Sequence, residues 1–209
     1  NFVHYSPEEI GTFYHPSGGQ RVYDYQIGFM HTGGGIARDV TIRSNWFENV
    51  HNPLGQFDDD PASTNLVIEG NVFVGVGASL SGGQHGTRIR NNTFYKFAYD
   101  EQQSTALTLG SGGVNGVTIV SNLFVDVGDH TSTNSGFYSV VLSTQVETNR
   151  NLLASAETIG FGPNKNFAET NGLNGVNPMF VDPVNPRGAA GIPFTVDGGL
   201  LLMPKTPIA

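Results

Sequence analysis

Two short stretches carry residue types suited to proton transfer. Asp58, Asp59 and Asp60 are consecutive, and Gln84, His85 and Gly86 lead into Arg88 and Arg90. A carboxylate and an imidazole can move a proton, and a guanidinium can hold the anion that results. Asp59, His85, Arg88 and Arg90 are therefore the candidate catalytic residues. Asp58, Asp59 and Asp60 also offer oxygens to Ca²⁺, the only cofactor suggested, although consecutive residues cannot all aim at one ion. A solvated acidic turn is the plain alternative. A further polar group comes from the long segments 98–105 and 128–137, with Tyr99, Asp100, Glu101, Asp129 and His130, joined at a distance by His51 and Asn52. Two carboxyls held ~5–10 Å apart can hydrolyse a glycoside. Acids on loops otherwise only solvate. No GxSxG, HExxH, Walker or dinucleotide-binding glycine pattern is present.

What must position these residues is a repeat. The stretch VTIRSNWF (40–47) returns as LVIEGNVF (66–73), TRIRNNTF (87–94), VTIVSNLF (117–124) and VETNRNLL (146–153). The Asn residues are 45, 71, 92, 122 and 151, so the intervals are 26, 21, 30 and 29. A constant motif at varying intervals implies a fixed structural unit with loops of different length. Alternation predicts two strands per unit with a bend at the Asn, and puts Ile42, Phe47 and their counterparts inside. Asn tolerates a bend, and a stacked amide can bond its neighbours above and below. A third strand is expected at 54–57, 78–80, 106–109 and 138–142, and 27–30 holds the same place before the first repeat.

Three short strands per turn, stacked ~4.8 Å apart, make a parallel β-helix of about five to six rungs. Over 27–156 the pattern resembles the right-handed pectate-lyase-like β-helix, in which inward Asn residues stack at one bend. The fold class expected is therefore all-β, with residues 1–156 as the β-helix. Within it, 1–35 form an irregular or partial first rung, including a short helix around 7–13. Asn1, Phe2 and Val3 read as the end of an earlier repeat, so a larger parent chain is an expectation.

The outward positions bear on function. In the first strand they are Arg43, Glu69, Arg90, Val120 and Asn149, beside Thr41, Val67, Arg88, Thr118 and Glu147. Arg43, Glu69 and Arg90 alternate in charge on successive repeats. They form either a salt-bridge ladder or a substrate-facing surface, since similar β-helix lyases and hydrolases bind sugar there. Arg43, Arg88, Arg90, Tyr95, Tyr99 and His130 are the candidate substrate-binding residues. In the second strand the outward residues include Trp46, Val72, Leu123 and Leu152. That face is too apolar to leave in water. A chain extension is the first expectation for its cover, and a partner protein or second copy the next.

Residues 157–209 leave the repeat. They contain NPMFVDPVNPRGAAGIPFTVDGGLLLMPKTPIA (177–209), whose prolines forbid regular helix and suit an extended segment laid along the coil. Phe180, Phe194 and 200–202 could supply apolar cover. This stretch is similar to the closing segment of many bacterial secreted or surface β-helix proteins, of the form NPxFVDP…G…T.D.GL.L…SPAI, with Gly198 in place of an acid and Thr206 in place of Ser.

Composition narrows the function. Of 209 residues 13% are charged, with 28 Gly, 14 Phe and no Cys, and the formal charge is -8. Cys-based catalysis, disulfides and Cys-bound zinc are excluded. An acidic chain without clustered Lys and Arg does not suit nucleic acid. No apolar run reaches the length of a membrane span. The chain opens with neither a signal-type segment nor Met, so a mature extracellular or cell-surface product is expected.

Two resemblances sharpen the enzymatic question. Residues 58–59 (DD), 84–86 (QHG) and 88–90 (RIR) are similar to polygalacturonase motifs, but the first Gly of GHG is Gln84, Lys of RIK is Arg90 and the upstream NTD is missing. Residues 65–97 resemble the central rungs of the alginate lyase and chondroitinase B family. There the Lys base falls near Asp60 and the catalytic Arg at Gln84, so only His85 and Gly86 match. The expected function is binding or processing of an extracellular polysaccharide, with lyase or glycoside hydrolase as the enzyme class. The alternative is a non-enzymatic surface, adhesion or assembly protein that uses the apolar second-strand face.

Overall fold

The structure is a computed structural model that describes residues 2–4, 38–48, 64–74, 80–81, 86–95, 107–109, 115–125, 139–140, 145–149, 152–153, 173–174, 177–194 and 198–202. Among these the regular elements are strands, with no helix. In chain order they are β1 (Phe2–His4), β2 (Thr41–Arg43), β3 (Trp46–Glu48), β4 (Val67–Glu69), β5 (Val72–Val74), β6 (Leu80–Ser81), β7 (Arg88–Arg90) and β8 (Thr93–Tyr95). Then come β9 (Leu107–Leu109), β10 (Asn115–Val120), β11 (Leu123–Val125), β12 (Ser139–Val140), β13 (Gln145–Asn149), β14 (Leu152–Leu153) and β15 (Leu173–Asn174).

All strand pairings are parallel and join one repeat to the next. The first strands of the repeats form the sheet β13-β10-β7-β4-β2, and the second strands form β1-β3-β5-β8-β11-β14-β15. A smaller sheet, β12-β9-β6, has β9 and β12 within the expected third-strand segments 106–109 and 138–142, while β6 overlaps 78–80 at Leu80 and runs on to Ser81. The candidates at 54–57 and 27–30, and the helix at 7–13, lie outside the described residues. The described residues form stacked parallel strands, consistent with a β-helix-like fold.

Register follows the motif. Ile42, Ile68, Ile89 and Ile119 pair in sequence across the first-strand sheet. Phe47, Phe73, Phe94 and Phe124 do so across the second. All eight are buried. The four rings stack with centroids 5.2, 4.8 and 4.9 Å apart and planes within 9° of parallel. Each such ring contributes about 1.5–3 kcal/mol by burial. Because side-chain direction alternates, a slip of one residue would turn this column out of the stack to the opposite face, so the column fixes the register.

The Asn column is buried beside it. Asn71 Nδ2 donates to Asn92 Oδ1 (3.1 Å) and to the Ile42 carbonyl of the preceding repeat (2.9 Å). Asn92 Nδ2 donates likewise to Asn122 Oδ1 (2.9 Å) and to the Ile68 carbonyl (2.9 Å). Each Oδ1 accepts in addition the backbone N–H of the Asn before it, as Asn71 does from Asn45 and Asn92 from Asn71 (both 3.0 Å). Two donors and two lone pairs are thus used in full, which is what lets an amide lie in the core. Asn151 lies outside the described residues.

One detail differs from the sequence expectation. The left-handed backbone does not fall on the Asn but on the residue before it: Ser44 (φ 55°), Gly70 (61°), Asn91 (55°) and Ser121 (54°). The preceding residue makes the turn, which leaves the Asn free to make the hydrogen bonds. A second corner, ahead of the first strands, holds Asp39 (φ 56°), Asn65 (62°) and Gly86 (71°), and Asn65 Nδ2 donates to Asp39 Oδ1 at 2.6 Å.

Two further strands extend the second-strand sheet, one where Asn1, Phe2 and Val3 read as the end of an earlier repeat and one that the motif does not mark. β1 pairs with β3 so that Phe2 meets Trp46 and Val3 meets Phe47, the position of a second strand in a preceding repeat. β15 extends the same sheet beyond residue 156, with Leu173 on Leu152 and Asn174 on Leu153. The backbone pairing thus continues past the last copy of the motif.

Candidate functional site

The first-strand sheet turns one face outward. Its exposed rows follow the expected order, with Arg43, Glu69, Arg90 and Val120 in register, and Thr41, Val67, Arg88 and Thr118 two residues earlier. Arg43 and Arg88 are exposed. Arg90 directs Nη2 (2.6 Å) and Nε (2.7 Å) at Glu69 Oε2, with the Arg90 side chain 46% exposed. The expected charge ladder is therefore one pair. Among the described residues neither Arg43 nor Arg88 makes an ion pair. A half-exposed pair such as Glu69–Arg90 adds about 0–1 kcal/mol to stability. Its stronger effect is to orient the Arg90 guanidinium.

The structure brings Arg43, Arg88 and Arg90 onto one face and places Tyr95 elsewhere. Tyr95 belongs to the second-strand sheet, where it is 6% exposed and meets Phe180 edge-to-face at 5.8 Å. Its position two residues after Thr93 puts it on the side covered by the tail. Asp58, Asp59, Asp60, His85, Tyr99 and His130 lie outside the described residues, as do Asp100, Glu101, Asp129, His51 and Asn52. Among the described residues no group of three acidic, His or Cys side chains is placed to hold a metal ion. Among them, too, no helix is long and apolar enough to cross a membrane.

The apolar face of the second-strand sheet is covered by the chain itself. Trp46, Val74, Tyr95 and Val125 form a buried cluster with Phe180, and Val72, Leu123 and Leu200 pack against it. Phe194 adds an edge contact to the Trp46 ring at 5.7 Å. Of the residues proposed as an interface, Trp46, Val72 and Leu123 are thus beneath the C-terminal segment, while the Leu152 side chain lies outside the described residues.

The tail owes its shape to short local bonds. Asn177 Oδ1 accepts from the Met179 amide (2.8 Å). Asp182 Oδ1 accepts from the Val184 amide (3.2 Å), and its Oδ2 accepts from Asn185 Nδ2 (2.8 Å). The Asn185 bond, together with the backbone amides of Asn185 and Val184, holds the Asp182 carboxyl below the ordinary range. The strand-like return runs Val181 N to Leu201 O and Asp182 N to Gly199 O, both 2.9 Å. Sequence reading did not single out the pair that clamps this tail, Glu48 and Arg187. Glu48 Oε2 accepts from Trp46 Nε1 (2.9 Å) and from Arg187 Nε (3.2 Å). The signal was a carboxylate two residues beyond the single Trp, on a face otherwise apolar.

No family model matches the chain, and no curated protein or solved structure matches it.

Proposed function

We propose that the chain is a right-handed parallel β-helix, with three short strands per rung and about five to six rungs, from the cell surface or extracellular space. It binds polysaccharide along the outward face of the first-strand sheet, and its enzymatic form would be a lyase or a glycoside hydrolase. The observation that carries this reading is the exposed Arg43, Arg88 and Arg90 on one face, of which only Arg90 is paired with an acid among the described residues. Three guanidiniums on one face, Arg43 and Arg90 in one register row and Arg88 beside them, offer many donors to hydroxyl, carboxylate or sulfate groups along an extended chain. The net charge of the protein opposes a polyanion at long range, and a local basic face overrides it at contact.

The test is a screen on acidic and neutral polysaccharides that reads binding, unsaturated product and new reducing ends. Retained binding with neither product makes the protein a binding module. Loss of all three from a folded protein sinks the carbohydrate reading.

A second reading has its own observation. The outer side of the tail exposes Val184, Ile192, Phe194 and Leu202. An assembly protein would use this surface in place of the covered second-strand face. Light scattering over a concentration series separates the two, since assembly through the tail predicts a mass that rises with concentration and falls on V184D/I192D substitution.

A further inference from the structure

Charge order along the first-strand face restricts the ligand further. Arg43, Glu69 and Arg90 occupy one row on three successive strands, in register. Adjacent strands are about 4.8 Å apart, so the two arginines are separated by about 9.6 Å, with a carboxylate between them. A hexose in an extended β-linked chain is close to one strand spacing in length. A glycan lying along the stacking direction therefore sets one sugar over each residue of the row.

We infer that this row selects a polysaccharide in which acidic and neutral sugars alternate, and disfavours one that is acidic at every sugar. The inference rests on the polysaccharide reading above and adds the charge pattern of the ligand. Over Arg43 and Arg90 an anionic group meets a guanidinium. Over Glu69 it meets a carboxylate at close range, where like charges repel and a hydroxyl or amide can hydrogen-bond instead. Arg90 remains available while paired. Its Nε and one Nη2 hydrogen engage Glu69 Oε2, which leaves three of its five N–H groups for a ligand. Glu69 thus does two things: it fixes the Arg90 fork and it rejects the middle anion. Arg88, two residues before Arg90 on the same face, adds a second donor to that end of the row.

The probes are hyaluronan, which alternates, polygalacturonate, which is acidic throughout, and a neutral mixed-linkage β-glucan. Affinity is measured by titration at low salt, with circular dichroism as the check on folding. Hyaluronan should bind about tenfold more tightly than polygalacturonate. R43Q and R90Q should each weaken hyaluronan about tenfold. E69Q should raise the affinity for polygalacturonate and narrow the ratio. Equal or tighter binding of polygalacturonate by the unaltered protein overturns the inference and leaves the polysaccharide reading in place. So does a ratio that E69Q does not move, or binding of the neutral glucan alone. Absence of binding to all three by the folded protein overturns both.

Discussion

Asn71 Nδ2 donates to Asn92 Oδ1 at 3.1 Å, and the Asn71 backbone N–H reaches the same oxygen at 3.0 Å. One acceptor thus ties both the side chain and the main chain of the preceding repeat. Asn92→Ala would leave those two donors, the Ile68 carbonyl and Asn122 Oδ1 without this partner in a buried site. An unsatisfied buried group costs about 1–3 kcal/mol. The expected loss is about 3 kcal/mol or more, read as a fall in the urea midpoint at unchanged slope. A loss within the range of ordinary surface substitutions would show that the column is decorative.

Phe94 stands in the middle of its stack, 4.8 Å from Phe73 and 4.9 Å from Phe124. Phe94→Ala removes ring contacts on both sides and leaves a cavity between repeats, so about 3–5 kcal/mol should be lost. Phe94→Leu keeps the apolar character and most of the volume and should cost clearly less. If the two substitutions were equal in a thermal melt, the apolar volume that Leu retains would count for nothing, and the loss would belong to the stacked ring itself.

The Asn and Phe columns were legible because both lie at fixed distances inside an eight-residue motif. Regular local spacing survives loops of any length, so Ile42, Asn45 and Phe47 could be placed before any contact was known. The turn residue was harder to see, since Ser44, Gly70, Asn91 and Ser121 have no one side chain in common, only tolerance of φ near 54–61°. That Phe180 would cover the second-strand face was legible, but its pairing with Tyr95 in particular was not, for another reason. It joins residues far apart in the chain, and such contacts leave no period in the sequence. For the candidate site, alternation placed the outward order of Arg43, Glu69 and Arg90, but whether Arg43 or Arg90 takes Glu69 depends on side-chain reach, which alternation does not encode.

Glu48 and Arg187 are not equal partners in the clamp. Glu48→Ala deprives the Trp46 indole N–H, in a ring only 3% exposed, of its acceptor and also removes the ion pair with Arg187. That should cost about 1–3 kcal/mol. Arg187→Ala removes a partly exposed ion pair and keeps the indole bond, so about 0–1 kcal/mol is expected. Chemical denaturation of both variants should preserve this order, and Arg187→Ala as the worse of the two would contradict it.

Asp182 gives the tail a pH dependence of known sign. Its folded carboxyl titrates below the unfolded value because the Asn185 side chain and the neighbouring amides bond the charged form. Its contribution is therefore complete above the unfolded value and is lost as pH falls through the lowered one. Asp182→Asn, which keeps one acceptor and cannot ionise, should flatten the acid limb of the stability profile. An unchanged acid limb would place the titration elsewhere.

Gly199 is where the tail closes. It is buried, and a Cβ there would overlap the carbonyl oxygens of Asp182 and Asn185. Backbone atoms on a tight turn cannot step aside as a flexible side chain does, so even Ala must open the return between 181–182 and 199–201. These segments hold Phe180 and Leu200 against Tyr95, Val125 and the buried Trp46. Gly199→Ala should thus expose an indole far away in sequence. Because the chain has one Trp, its emission reports this event alone. A red shift and easier quenching by iodide are expected, with the circular dichroism of the stacked strands retained. Unshifted emission from the folded variant would mean that cover over Trp46 does not depend on this closure.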